Sequence, residues 1–498
     1  MMNAIRKTFS TLRPGATAFL AVALTTAAAT AGYRHLPTSS NPIPVTPPPL
    51  PVVNPVVTIP APAPFTIVSA DGAVTVRGTA SQTKVAENGS GDLFYDITID
   101  TPADRELIAT RKPTDMILVL DRSGSMGDEN KLGYAKAAIR QLVSQLTAED
   151  RFALVSFDDT ARLDVGLTPV TPGMRDNILR TVDTIQPGGS TNISEGFRYA
   201  ESMVRGTEGH RSTRVLLLSD GEANSGVTSV EGLSGIVKNF SRQGTVVSTI
   251  GMGLGFNQNL LSNLADHGMG NYSYLESLAG LDAILKKDLK DGRSTYAATS
   301  ELQFQLGEGV SIRDASGYPI EYTAGRANFV KIPTGQLLAG SKKNFMISVH
   351  VPTNRRGSIE LGHIAFNYHR NGSVLAARVT EEVARITVVQ TEQEAMASIQ
   401  GDVYRKGWVA NNLGALKAKV ADAIARGDRD QALSDISAYS HGMAAAGSAA
   451  KMDMAPAAAP ALKELAKDTE EAFAEGAAAQ NRIAKKQQSG ARALQRSN

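Results

Sequence analysis

Residues 115–126 read DMILVLDRSGSM, and the change of character at Asp121 decides the fold. Met116 to Leu120 is an unbroken apolar run of strand length, followed at once by an acid, two serines and a glycine. That pattern is a fully buried parallel strand whose carboxyl end opens into a polar loop. In open α/β sheets ligands lie just outside the carboxyl ends of the strands, so the loop from Asp121 to Ser125 is where a site is expected.

Working outward, strand and helix alternate on both sides of this stretch. Ala135, Ala138, Ile139, Leu142, Val143 and Leu146 recur at helical spacing and predict an amphipathic helix. Phe152 to Phe157 and Arg162 to Leu167 read as a strand pair, and Met174 to Ile185 as a helix. The loop Pro187-Gly188-Gly189-Ser190-Thr191 opens another helix from Asn192. Val215 to Leu218 repeats the buried-strand pattern and ends in Ser219-Asp220-Gly221. A helix over 228–242, a strand over 245–250, a helix over 257–266, a strand over 272–275 and a helix over 278–289 complete the set. The order predicts a doubly wound, mostly parallel sheet covered on both faces.

Three of these loops carry oxygen donors: Asp121, Ser123 and Ser125 after the first strand, Thr191 in the Gly-Gly loop, and Asp220 after the later strand. Loops distant in sequence converge when they leave one edge of one sheet. Two carboxylates and three hydroxyls match the demand of a hard divalent cation such as Mg²⁺ for oxygen ligands at about 2.0–2.1 Å, with water completing the shell.

DRSGS, then GGST, then LLLSDG, in this order, resemble the metal-ion-dependent adhesion site of the von Willebrand factor A domain, over about Pro113 to Arg293. By that resemblance Asp121, Ser123, Ser125, Thr191 and Asp220 bind the ion, Mg²⁺ with Mn²⁺ or Ca²⁺ as alternatives, and Asp220 acts partly through water. The resemblance also implies adhesion, in which an Asp or Glu of a protein partner completes the metal shell, and movement of the last A-domain helix on engagement. The flanks resemble, more loosely, bacterial relatives of the inter-alpha-trypsin inhibitor heavy chains.

Competing chemistries fit less well. A dehalogenase-type phosphatase would use Asp121 as nucleophile but expects a second acid where Ser123 stands. Ser123 and Ser125 are in no G-x-S-x-G elbow, and the seven histidines form no HExxH pair. The run Gly251-Met252-Gly253-Leu254-Gly255 lacks the full dinucleotide fingerprint and reads as a turn. No enzyme is expected. The second reading is a structural or assembly scaffold of an envelope complex, with no metal-gated exchange of ligand.

Composition sets the outer bounds. The 498 residues allow roughly three domains. A formal charge of +2, from 51 basic and 49 acidic side chains, gives no field favouring nucleic acid. Cysteine is absent, which excludes disulfides, thiolate metal sites and a lipoprotein anchor. Arg6, Lys7 and Arg13, a weakly apolar run over 16–24 and the Ala29-Thr30-Ala31 cleavage pattern make 1–31 a secretory signal peptide, with an uncleaved anchor as the alternative. The mature chain is expected to be exported, to the periplasm, to the cell surface or as a secreted protein.

Residues 32–64 form a proline-rich linker; 11 of the chain's 22 prolines lie between Pro37 and Pro64. Such a tract is an extended polyproline spacer. Short β-like runs fill 65–112 and 294–390, on either side of the A domain at 113–293. The two flanks either close into one β-sandwich holding the A domain as an insertion or stand as two β elements. Residues 391–447 read as helices broken at Gly407, Gly414 and Gly427. Residues 448–498 read as an Ala-rich linker, a charged helix and a basic tail able to touch an anionic envelope surface.

Overall fold

The computed structural model describes residues 65–496 except 70–71, 104–111, 205–210, 221–222, 254–255, 276–277, 372 and 379–384. The expected signal peptide and the whole proline-rich linker lie outside the described residues.

The first flank supplies β1 (Phe65–Val68), β2 (Thr75–Ala80), β3 (Lys84–Ala86) and β4 (Asp92–Asp100). The central part runs β5 (Thr114–Asp121), α1 (Lys131–Gln145), β6 (Arg151–Phe157), β7 (Ala161–Pro169), α2 (Pro172–Thr184), α3 (Ile193–Val204) and β8 (Ser212–Ser219). It continues through α4 (Val230–Arg242), β9 (Val246–Met252), α5 (Gln258–His267), β10 (Met269–Leu275) and α6 (Leu278–Arg293).

These six strands form one sheet in the order β10-β9-β8-β5-β6-β7. All neighbours are parallel except β6 and β7, which pair antiparallel at one edge. The first strand is therefore central, as its uninterrupted apolar run requires. Met116, Leu118 and Leu120 enter the core under α1, α2 and α6, while Ile117 and Val119 enter the opposite core under α3, α4 and α5. Helix starts follow local chemistry: Thr171, Ser229 and Asn257 each cap the first turn of the helix that follows.

The second flank begins with β11 (Thr295–Ala297), β12 (Thr299–Leu306), β13 (Ser311–Asp314), β14 (Glu321–Thr323), β15 (Arg326–Pro333) and β16 (Leu337–Leu338). It ends with β17 (Lys342–His350), β18 (Gly357–Glu360), β19 (Gly362–Arg370), β20 (Ser373–Arg378) and β21 (Arg385–Val389). The two flanks join. β4 pairs antiparallel with β17 along its whole length, from Asp92↔His350 to Asp100↔Lys342, in the five-stranded sheet β1-β2-β4-β17-β13. A second sheet, β14-β15-β12-β19-β20, packs on it through Leu93, Ile97, Phe304, Ile332, Phe345 and Phe366. The A domain is an insertion in this sandwich, not a neighbour of two separate β elements.

The carboxyl-terminal region is α7 (Glu392–Met396), α8 (Gly401–Ala425), α9 (Arg429–Ala450), α10 (Ala455–Glu475) and α11 (Ala477–Arg496). This corrects the sequence expectation in two ways. Gly407 and Gly414 do not break α8. A Cβ on Gly407 would lie 2.4 Å from Phe94 Cγ, so this glycine lets the helix press on β4. The Ala-rich stretch after 447 is mostly helix rather than linker, and the basic tail is α11, packed on α8. Three of its cations have partners in the fold: Arg482 pairs with Glu471 and Glu475, Lys486 with Asp468, and Lys485 donates to the Phe256 carbonyl. Among the described residues no helix is long and apolar enough to cross a membrane.

Candidate metal centre

Because β5 and β8 are parallel neighbours with Leu120 opposite Leu218, Asp121 and Ser219 end their strands side by side. The Asp121 carboxylate is fully buried. Its Oδ1 accepts the Ser123 backbone N–H at 2.8 Å and its Oδ2 accepts the Ser219 hydroxyl at 2.5 Å. Ser123 Oγ lies 3.2 Å from Ser125 Oγ, and the Ser125 hydroxyl donates to Asp220 Oδ1 at 2.9 Å. Asp121, Ser123, Ser125 and Asp220 are thus gathered at the carboxyl end of the sheet.

Thr191 is held there through backbone. Gly124 N–H donates to the Gly189 carbonyl at 3.0 Å and Gly188 N–H to the Arg122 carbonyl at 2.8 Å, stitching the Gly-Gly loop to the serine loop. Gly189 is in the left-handed region at φ 47°, where a Cβ would meet Asp159 Oδ2 at 2.4 Å. The buried Thr191 donates its N–H to Asn224 Oδ1 at 2.7 Å and accepts the Asn224 N–H at 3.1 Å. Among the described residues its hydroxyl makes no hydrogen bond to the other four donors.

Four supporting residues were not identified from sequence. Ser219 orients Asp121, Asn224 holds the Thr191 loop, and Lys131 places its ammonium 2.7 Å from Asp220 Oδ2. Arg122 pairs with Asp158 at 2.6 Å, and the Asp158 carbonyl accepts the Asn192 N–H. Asp158 therefore clamps the loop to its neighbours. The sequence signal for Ser219 is its place at the end of a strand parallel to β5; the other three carry none.

Burial, opposed by the Ser219 and Ser123 hydrogen bonds and helped by the charge of Asp220, pushes the Asp121 carboxyl up to about 6. Among the described residues no three His, Cys, Asp or Glu side chains gather into a cage, so this centre combines two acids with hydroxyls. The set suits a small hard cation that keeps water, and its oxygens offer nothing to a soft metal.

Comparison with known proteins bears on the domain that carries these residues. A family model for the von Willebrand factor type A domain matches residues 115–287. The chain is 26% identical over 195 residues to the Escherichia coli protein YfbK, a match covering 39% of this chain and 34% of that one. It is 26% identical over 215 residues to human inter-alpha-trypsin inhibitor heavy chain H3, covering 39% of this chain but 24% of the relative. The chain thus spans about a third or less of the length of these relatives. A solved von Willebrand factor type A protein from Catenulispora acidiphila shares the fold at 18% identity and a TM-score of 0.60, over 82% of this chain and 90% of that one. Domains of this type are mostly non-enzymatic, typically bind other proteins and often hold a divalent metal. Family match and strand order together identify residues 115–287 as a von Willebrand factor type A domain, carried in this chain as the insertion of a β-sandwich.

Proposed function

We propose that this chain is an exported adhesion protein that captures a protein partner through a divalent cation held by Asp121, Ser123, Ser125, Thr191 and Asp220. The observation that carries the reading is the linked set Asp121, Ser123, Ser125 and Asp220 at the carboxyl end of β5 and β8, closed by the Thr191 loop. The bound ion would supply a Lewis-acidic position open to an outside carboxylate. The chain's own groups fix the geometry: Ser219 and the Ser123 N–H hold Asp121, and the Asp158 clamp and Asn224 hold the Thr191 loop. A partner Asp or Glu side chain would complete the shell, because five protein groups leave one position of a near-octahedral ion to water or to an outside oxygen. Export fits the positively charged, weakly apolar segment at residues 6–24 and the Ala29-Thr30-Ala31 pattern after it.

The test is capture from envelope extract on immobilised protein, with Mg²⁺ and then with chelator. Partners released by chelator, and absent from an Asp121→Ala column, support metal-dependent adhesion. Partners that stay bound in chelator and on the variant column favour the scaffold reading instead.

A further inference from the structure

We infer that Lys131 is a tethered counter-cation that guards this centre, so that a divalent ion binds only by displacing its ammonium from Asp220. The inference rests on the metal reading above and adds a device that sets the ion's affinity. Lys131 Nζ lies 2.7 Å from Asp220 Oδ2 and 3.4 Å from the Ser125 carbonyl. The pair is largely shut off from water, with the lysine side chain 12% exposed and that of Asp220 0%.

Three features show that this placement is not an accident of the helix. Lys131 is the first residue of α1, where a cation opposes the helix dipole, and no acid in that first turn offsets it. The two preceding residues, Glu129 and Asn130, both take left-handed backbone angles, φ 51° and 59°, and Asn130 makes no side-chain cap bond. Two consecutive non-glycine residues in that region are costly and persist where the surroundings impose them. Gly253, at φ +75°, stands against the lysine stem, and a Cβ there would come within 2.8 Å of Lys131 Cε. Helix start, strained approach and glycine gap all serve to bring one ammonium onto one carboxylate.

The consequence is competition. Ammonium and divalent ion both require Asp220, and at this separation and burial like charges repel strongly. A site with two acids and one resident cation attracts metal less than two acids alone. Once the lysine has swung out, the ion carries the charge that faces a partner.

The experiment is calorimetric titration of the full chain with MgCl₂, comparing native protein, K131M and K131R. K131M should bind Mg²⁺ about tenfold or more tightly than native protein, since the competing charge is gone. K131R, which keeps the charge, should stay near native affinity. In chelator K131M should melt lower than native protein and gain more on adding Mg²⁺. K131Q carries the same expectation if K131M does not fold. Equal or weaker Mg²⁺ binding by the neutral variants overturns the guard role alone. Absence of Mg²⁺ uptake by native and neutral variants alike overturns the metal centre itself, and the guard with it.

Discussion

Arg214 on β8 and Asp288 on α6 form a two-pronged ion pair inside the protein, with Nε to Oδ2 at 2.8 Å and Nη2 to Oδ1 at 2.7 Å. The Ser248 hydroxyl donates to the same carboxylate at 2.7 Å, and Arg214 Nη1 donates to Gln336 of the sandwich at 2.9 Å. Although burial opposes the charged form, Arg214 and Ser248 hold the Asp288 carboxyl below the usual carboxylate range. The last helix of the A domain is thereby pinned both to its own sheet and to the surrounding sandwich. Removing one partner leaves the other charged, buried and unpaired, which costs about 3–5 kcal/mol. D288A should lower the melting temperature sharply, whereas the double variant R214M/D288L should recover part of the loss. A double variant less stable than D288A would contradict this reading.

Glu321 on β14 ties the sandwich to the A domain by accepting from Lys238 at 2.8 Å and lying 3.3 Å from His267 Nδ1. Burial alone would raise its carboxyl, but the His267 and Lys238 hydrogen bonds and charges outweigh it and bring it down to about 2. A depressed acid stabilises the fold above its unfolded value and ceases to do so as pH falls through the folded one. The contribution, about 1–2 kcal/mol after allowing for solvent screening, should fade between about pH 4.5 and 2. Comparing melting temperatures of native protein and E321Q checks this: their difference should be present at pH 6 and vanish toward pH 2. A constant difference would contradict it.

Gly407 seats α8 on β4, since any Cβ there would meet Phe94 Cγ at 2.4 Å. G407V should lift the helical region off the sandwich, lower stability by roughly 1–3 kcal/mol and speed proteolysis between residues 390 and 430. Unchanged proteolysis would show that the helix tolerates a larger gap.

Lys485 of α11 reaches the A domain, donating to the Phe256 carbonyl at 2.6 Å with its ammonium 4.0 Å from the centre of the Phe256 ring. K485M loses a hydrogen bond and a cation–π contact, together about 1–2 kcal/mol. Amide exchange should quicken in α11 and around Phe256 and remain native in β5. Native exchange in both segments would mean that the helix is held by other contacts.

The meeting of four of the five candidate residues could be read from the sequence because the strand ends that carry them have a local signal. The apolar run 116–120 reads as a buried strand, and Asp121, Ser123, Ser125 and Asp220 meet because β5 and β8 end together. Residues whose role depends on a partner far along the chain escaped. Lys131 looks like an ordinary helix start until Asp220, 89 positions away, is placed beside it. Gly407 looks like a helix breaker until Phe94 is known to lie beneath it. The Pro460 and alanine-rich segment reads as linker by composition, yet packing lets α10 begin at Ala455.

Calorimetric titration of the native chain with Mg²⁺, beside D121N, tests the central claim most directly. The account predicts one ion bound per native chain and none by D121N, with D121N in chelator at least as stable as native protein because a buried charge has been removed. Native protein that takes up neither Mg²⁺ nor Mn²⁺, or a D121N variant that binds as the native chain does, would contradict it.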